Sequence, residues 1–373
     1  MAAILAAVLE VFSSLIVPNS SLFCVRRLAV GAHHTNMRSM EELKIRMGGH
    51  PRSQLFTARA PGTFSTLFNL RNIVINVSVF AILGVGMTFV IITAGIDLSV
   101  GSNLVFSTVL ACKAISAMGG QGWGTTLVGT LVALVAATFW GAVNGWLVAV
   151  AKVPAFIVTL GSSLGILGVS QIITGGIDLR GATDTLVNKV GFGNVYAQIP
   201  TLGIIALVVV VGGGVLLHKT HFGLTTYAVG SNAEACRRVG IKVNRHLILV
   251  YSLMGFTAGI AGILSLALYQ QTTIAGQTST ALTVVAGVVI GGTSLFGGYG
   301  SIFGTTIGLL IPMVLQSGFI IIGVVPFWQN VVVGVFLVAA VYVDTARRGA
   351  ADGGGKSLKK RSYKESISRK GNK

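Results

Sequence analysis

Two stretches of this otherwise apolar chain hold residues of a kind that do chemistry. The first, "FVIITAGIDLSVGS" at residues 89–102, contains Asp97, the first carboxylate after Glu42. An ionised carboxylate costs about 3 kcal/mol to place in hydrocarbon on insertion scales, so its position needs a reason. Two readings are open. Asp97 or Ser99 precedes a new apolar run and would cap that helix, accepting amide hydrogens and meeting the positive helix end. Gly95 and Gly101 would then allow a tight turn. Alternatively, a carboxylate at the edge of a span contacts a transported solute.

The second stretch is "FGLTTYAVGSNAEACRRVGIKVNRH", residues 222–246. Ser231, Asn232, Ala233 and Glu234 carry the S-x-x-E spacing of a capping box, in which the serine oxygen and the glutamate each satisfy an orphan amide. This predicts a short helix through Ala235, Arg237 and Arg238 that ends at Gly240, where a left-handed cap is easiest for glycine. Such a helix either docks a partner or is merely solvated, its arginines meeting lipid phosphates or setting topology. The residues leave both open.

Other chemistry is not predicted. Cys24, Cys112 and Cys236 stand far apart, without the paired spacing of a metal site. "GAADGGGKS" (residues 349–357) nearly reads as a phosphate loop, but the G-x-x-x-x-G-K-S spacing needs glycine where Ala350 stands. No catalytic or metal site is expected.

The elements that must position these residues are membrane helices. The chain is 53% hydrophobic and 10% charged, with mean hydropathy +0.81, against about 25% charged in soluble domains. Between Arg245 and Asp344 there is no Asp, Glu, Lys or Arg. Spans of about 20 apolar residues are expected at 72–93, 99–118, 125–150, 154–174 and 200–218. After the basic loop they follow at 247–269, 280–295, 302–323 and 327–343. The stretch 280–295 leads into "GGTSLFGGYGS" and is expected to be short, broken or re-entrant.

The net charge of +17 sits in tails and loops, with the segment from Arg347 onward alone carrying net +8. That distribution fits the positive-inside bias and argues against nucleic acid as a partner. With the tail inside, residues 219–245, Lys152 and the Asp97 turn also fall inside, and residues 175–198 fall outside. The basic residues between Arg26 and Arg71 then fall outside, against the bias. Residues 1–17 stay open as a poor first span, a cleaved signal or an atypical start. The expected organisation is an atypical N-terminal region 1–71, a transmembrane domain 72–345 and a basic cytoplasmic tail 346–373.

"ITAGIDLSVG" echoes in "ITGGIDLRGA" (residues 173–182), but the topology sets the copies on opposite sides, against a true repeat. "GFTAGIAG" (residues 255–262) has the spacing for close helix packing. Trp140, Trp146, Phe156 and Tyr269 have rings able to stack on a sugar, though interfacial anchoring is the commoner use.

Three ordered motifs carry a resemblance. "GMTFVIITAGIDLSVGS", "GLTTYAVGSNAEACRRVGIKV" and "VVAGVVIGGTSLFGGYGSIFGTTIGLL" resemble permease subunits of bacterial ABC importers for simple sugars, of the ribose and xylose type. The similarity runs roughly from Phe64 to Arg348. It departs before "FSTLFNLRNI", where that family has a first span and this chain is polar.

The resemblance implies an all-α polytopic bundle of about nine to ten spans, forming a homodimer in the bacterial inner membrane. It implies a cytoplasmic ATPase docked on the loop around Glu234, Ala235 and Gly240, and an external sugar-binding protein. Membrane lipid surrounds the chain, which holds no cofactor of its own; ATP is bound by the partner subunit. The alternative is an ion-coupled secondary transporter using Asp97 or Asp178, which would need a carboxylate at mid-membrane. Both aspartates fall at span ends.

Overall fold

The computed structural model describes residues 64–345, apart from 65, 197–198, 276–278, 326, 329, 336, 340 and 343–344. The N-terminal stretch up to residue 63 and the basic tail lie outside the described residues. The fold is helical, as the apolar runs require where no water is present to satisfy a free backbone.

Seven helices among the described residues are long and apolar enough to cross a membrane. They are α1 (Leu67–Ile92), α2 (Val100–Met118), α3 (Trp123–Ala149), α4 (Ala155–Thr174), α5 (Thr201–Lys219), α7 (Val243–Tyr269) and α9 (Ile302–Ile321). Between α5 and α7 runs the polar α6 (His221–Arg238), and before α9 comes α8 (Thr280–Ile290). Six expected spans coincide with α1 to α5 and α7, and 302–323 with α9. Two expected spans do not coincide with a long helix, and the first of them is 280–295. Its helix has 11 residues, about 16 Å of rise, half of the roughly 30 Å hydrocarbon layer. It stops because residues 291–300 hold five glycines, three of them (Gly292, Gly297, Gly298) at positive φ. A second short apolar helix, Asn330–Ala339, falls within the last expected span.

Helix α1 is the hub. From Ile82 to Ile92 nearly every residue is buried, and it packs on α5, α7, α8 and α9. Helices α3 and α7 meet backbone to backbone: a Cβ on Gly141 would overlap the Tyr251 carbonyl oxygen, and one on Gly255 the Ala137 carbonyl oxygen. The small-residue run at 255–262 is therefore a packing face, as expected. In contrast, α4 and α5 leave most of their apolar surface outward.

The segment between α4 and α5 is not helical throughout. It contains a short helical turn (Asp184–Leu186), a π turn (Val187–Gly191) and a two-stranded antiparallel hairpin, β1 (Asn194–Tyr196) with β2 (Ile199–Pro200). Asp178 accepts hydrogen bonds from the Ile274 amide (2.9 Å) and the Thr272 hydroxyl (3.0 Å). It thereby ties this segment to the chain that follows α7.

Candidate functional site

The two stretches singled out above meet at one end of the bundle, together with a third. Helix α1 ends at Ile92, and Ala94 turns the chain with φ 60°. The expected cap is built differently from the prediction. Ser99 is the N-cap of α2 but makes no side-chain cap bond. Instead the Asp97 carboxylate Oδ1 accepts both the Ser99 amide (2.8 Å) and the Ser99 hydroxyl (2.6 Å). This is an Asx turn, the carboxylate mimicking a backbone carbonyl two residues ahead of the helix. Nor does Gly101 shape the turn; it lies inside α2, buried.

Asp97 is only 2% exposed, so the turn does not lift it into water. Burial pushes its carboxyl above the ordinary range, while the two Ser99 hydrogen bonds pull the other way. From Ser99 the polar contacts continue into the neighbouring helices. Asn144 of α3 donates to the Ser99 hydroxyl (2.9 Å), and Ser162 of α4 donates to the Asn144 amide oxygen. Thr159 of α4 bonds the Ile96 carbonyl (3.1 Å), and Ser102 pairs with Ser163 (2.8 Å). Gly95 lies against α7, where a Cβ would come 2.6 Å from the Tyr251 hydroxyl. The signature turn is thus a buried polar knot joining α2, α3, α4 and α7.

Sequence reasoning missed Asn144, Thr159, Ser162 and Ser163. The signal for Asn144 was present: an amide inside an apolar span is costly unless paired. Its partner across 45 residues was not legible.

Helix α6 breaks at Asn232, whose backbone (φ −161°, ψ 93°) is extended. The predicted capping box does not form. Ser231 donates instead to the Tyr227 carbonyl one turn back (2.9 Å), and Asn232 caps the second segment by accepting the Ala235 amide (2.9 Å). Glu234 reaches forward, not back, to Arg237 (3.7 Å) and Arg238 (3.5 Å). The register shifts by one because Ser231 still belongs to the first helical segment, where its hydroxyl has a carbonyl within reach. The end at Gly240 (φ 89°) is as expected, with its amide bonding the Arg237 carbonyl (3.1 Å).

The short helix 233–238 is exposed along Glu234, Ala235, Arg237 and Arg238, while Cys236 packs under it against Val229 and Val243. Val239, not anticipated, stands 76% exposed beside it.

The third element is the glycine loop 291–300. The Gly298 amide caps the Ile92 carbonyl (2.9 Å) at the end of α1, and the Tyr227 hydroxyl donates to the Gly300 carbonyl (2.7 Å). Gly230 faces the same Ile92 oxygen, which a Cβ there would overlap. The kink of α6, the end of α1 and the glycine loop therefore share one junction, with Gly230 three residues before the exposed helix and Ile92 five residues before Asp97. Among the described residues there is no cluster of His, Cys, Asp and Glu able to hold a metal.

A charge-poor helical bundle with seven helices long and apolar enough to cross a membrane is the form of a multi-pass membrane protein. Comparison with known proteins gives the same class. The chain belongs to the family described as branched-chain amino acid transport system / permease component, whose model matches residues 69–341. It is similar to the ribose import permease protein RbsC of Escherichia coli K12, 39% identical over 288 residues, covering 76% of this chain and 88% of that one. RbsC of Bacillus subtilis is 37% identical over 283 residues, covering 76% and 86%. The xylose transport system permease protein XylH of Escherichia coli K12 is 32% identical over 355 residues, covering 79% and 88%. No solved structure gives a significant match.

Proposed function

We propose that this chain is the membrane-spanning subunit of an ATP-driven ABC importer that carries a monosaccharide or related small polyol across the bacterial inner membrane. The observation that carries the reading is the junction of Gly230, Ile92 and Gly298, which links an exposed helix to the buried signature turn. The names of the ribose and xylose permeases support a sugar as cargo.

In this mechanism a separate ATPase docks on Glu234, Ala235, Arg237, Arg238 and Val239, and ATP is bound there and not by this chain. Two copies of the chain form the pathway in a lipid bilayer, each with nine to ten passes. A sugar-binding protein delivers cargo at the opposite end. Closure of the ATPases moves helix 233–238, and the close-packed junction passes that motion to α1. The Asp97 knot in turn ties the foot of α2 to α3 and α4. Asp97 is assigned a structural duty here and Asp178 the holding of a loop, supported by their hydrogen bonds.

The test is reconstitution in liposomes with the ATPase and binding protein encoded beside it, measuring uptake of ribose and xylose. Uptake that requires ATP and survives an uncoupler is the expected result. Uptake that survives ATP depletion and stops with the uncoupler would overturn the reading in favour of secondary transport.

A further inference from the structure

From the far end of the bundle, two cavities follow one another. A wide one of about 1070 Å³ opens among Gln121, Arg180, Asp184, Asn188 and Gln271, with Tyr269 in its wall. A smaller one of about 190 Å³ lies among Asn76, Phe80, Ser265, Thr283 and Gln316, and Tyr269 lines it too. Tyr269 is thus the wall common to both.

The smaller cavity lies within the span region. Asn76 is nine residues into α1, about 13 Å along its axis, and the short α8 leaves room there because it begins only at Thr280. Ser265 and Tyr269 lie one turn apart on the same face of α7. The volume is far above the ~10–15 Å³ that one water needs.

Its walls have a consistent chemistry. Among the described residues, the side chains of Asn76, Ser265 and Gln316 make no hydrogen bond with any protein group, and Thr283 donates one to the Ser279 carbonyl (3.1 Å). Amides facing lipid or a dry interior without partners are strongly disfavoured. These four converge on one space, with no Asp, Glu, Lys, Arg or His in its lining. Phe80 and Tyr269 add aromatic surface, the remaining walls being Val79 and Leu268 among others. A charged solute such as a zwitterionic amino acid would meet no counter-charge here. Uncharged donors and acceptors beside aromatic faces match a neutral solute with several hydroxyls and apolar C–H faces.

We propose that this cavity is a transit site for an uncharged polyol, in which Asn76, Ser265, Thr283 and Gln316 bond its hydroxyls and Tyr269 stacks at the entry from the outer cavity. The proposal rests on the sugar-importer reading and names where in the chain the sugar is held.

The experiment compares Asn76→Leu, Gln316→Leu and Gln316→Asn with the parent transporter, in liposomes containing ATPase and binding protein, with ribose and xylose as probes. An unpartnered amide replaced by an apolar group of similar shape leaves folding unharmed. Yield and ATPase rate should therefore stay near the parent's, while sugar moved per ATP falls about two- to tenfold for each Leu variant. Gln316→Asn should recover part of the loss. In a cysteine-free background, Gln316→Cys should react with a water-soluble thiol reagent. Parent-level sugar per ATP in both Leu variants, or a Gln316→Cys that reacts only with lipid-soluble reagents, would overturn the site. Failure of the parent itself to import either sugar would overturn the importer reading instead, so the two failures are distinct.

Discussion

The junction at Gly230 makes the most quantitative prediction. In Gly230→Ala the new Cβ would overlap the Ile92 carbonyl oxygen and lie 2.8 Å from the Gly298 nitrogen and 2.9 Å from the Ile92 carbonyl carbon. Non-bonded carbons sit about 3.5–4.0 Å apart. All of these neighbours are backbone, so none can rotate away, and α6 and the end of α1 must separate by roughly 1 Å. That lengthens the 2.9 Å Gly298–Ile92 hydrogen bond past useful range and strains the 2.7 Å Tyr227–Gly300 bond. Two hydrogen bonds at about 1 kcal/mol each, plus about 1–3 kcal/mol for overpacking, give a loss of roughly 3–5 kcal/mol. Helix 233–238 is unchanged by the substitution, so the ATPase should still bind while sugar uptake per ATP falls. Thermal unfolding in detergent and uptake in liposomes read the two effects. Gly212→Ala is the control, because a Cβ there meets nothing within 4 Å. A Gly230→Ala protein as stable and as active as the control would refute the claim that this contact transmits motion.

Two further predictions test the corrected local geometry. Asp97→Asn should keep most folded yield and uptake, since its amide oxygen still accepts from Ser99 and burial already disfavours the charge. Asp97→Ala leaves the buried Ser99 amide unpaired at about 1–3 kcal/mol, and should lower the yield of membrane-inserted protein; an inserted but inactive Asp97→Asn would show instead that the charge is needed. At the kink, Asn232→Ala removes the cap of helix 233–238, worth about 1 kcal/mol, and should weaken ATPase co-purification. Ser231→Ala should leave it unchanged, and the reverse ranking would restore the capping box.

Composition and hydropathy alone were enough for the class of this protein. Runs of about 20 apolar residues have no stable alternative to a spanning helix, because hydrocarbon offers no partner to a free backbone group. For the same reason seven of the nine expected spans coincide with long helices, and the glycine-rich 280–295 stretch was legible as irregular. Gly240 was legible too, because its left-handed geometry depends on its own backbone.

What depended on neighbours in space was not. The cap at α6 moved from Ser231 to Asn232 because a carbonyl of the preceding turn competes for the serine hydroxyl. Asp97 reads as a helix-capping turn at a span end; its burial comes from α3, α4 and α7, which close over it with Asn144, Thr159 and Tyr251. Tyr269 reads as a ring able to stack on a sugar or to anchor at the interface; its place between two cavities follows from α8 being too short to fill the space beside it. Local propensity and hydropathy are written along the chain, whereas the pairing of Ile92 with Gly230 and Gly298 is decided only when remote helices pack and must pair most of their buried polar groups.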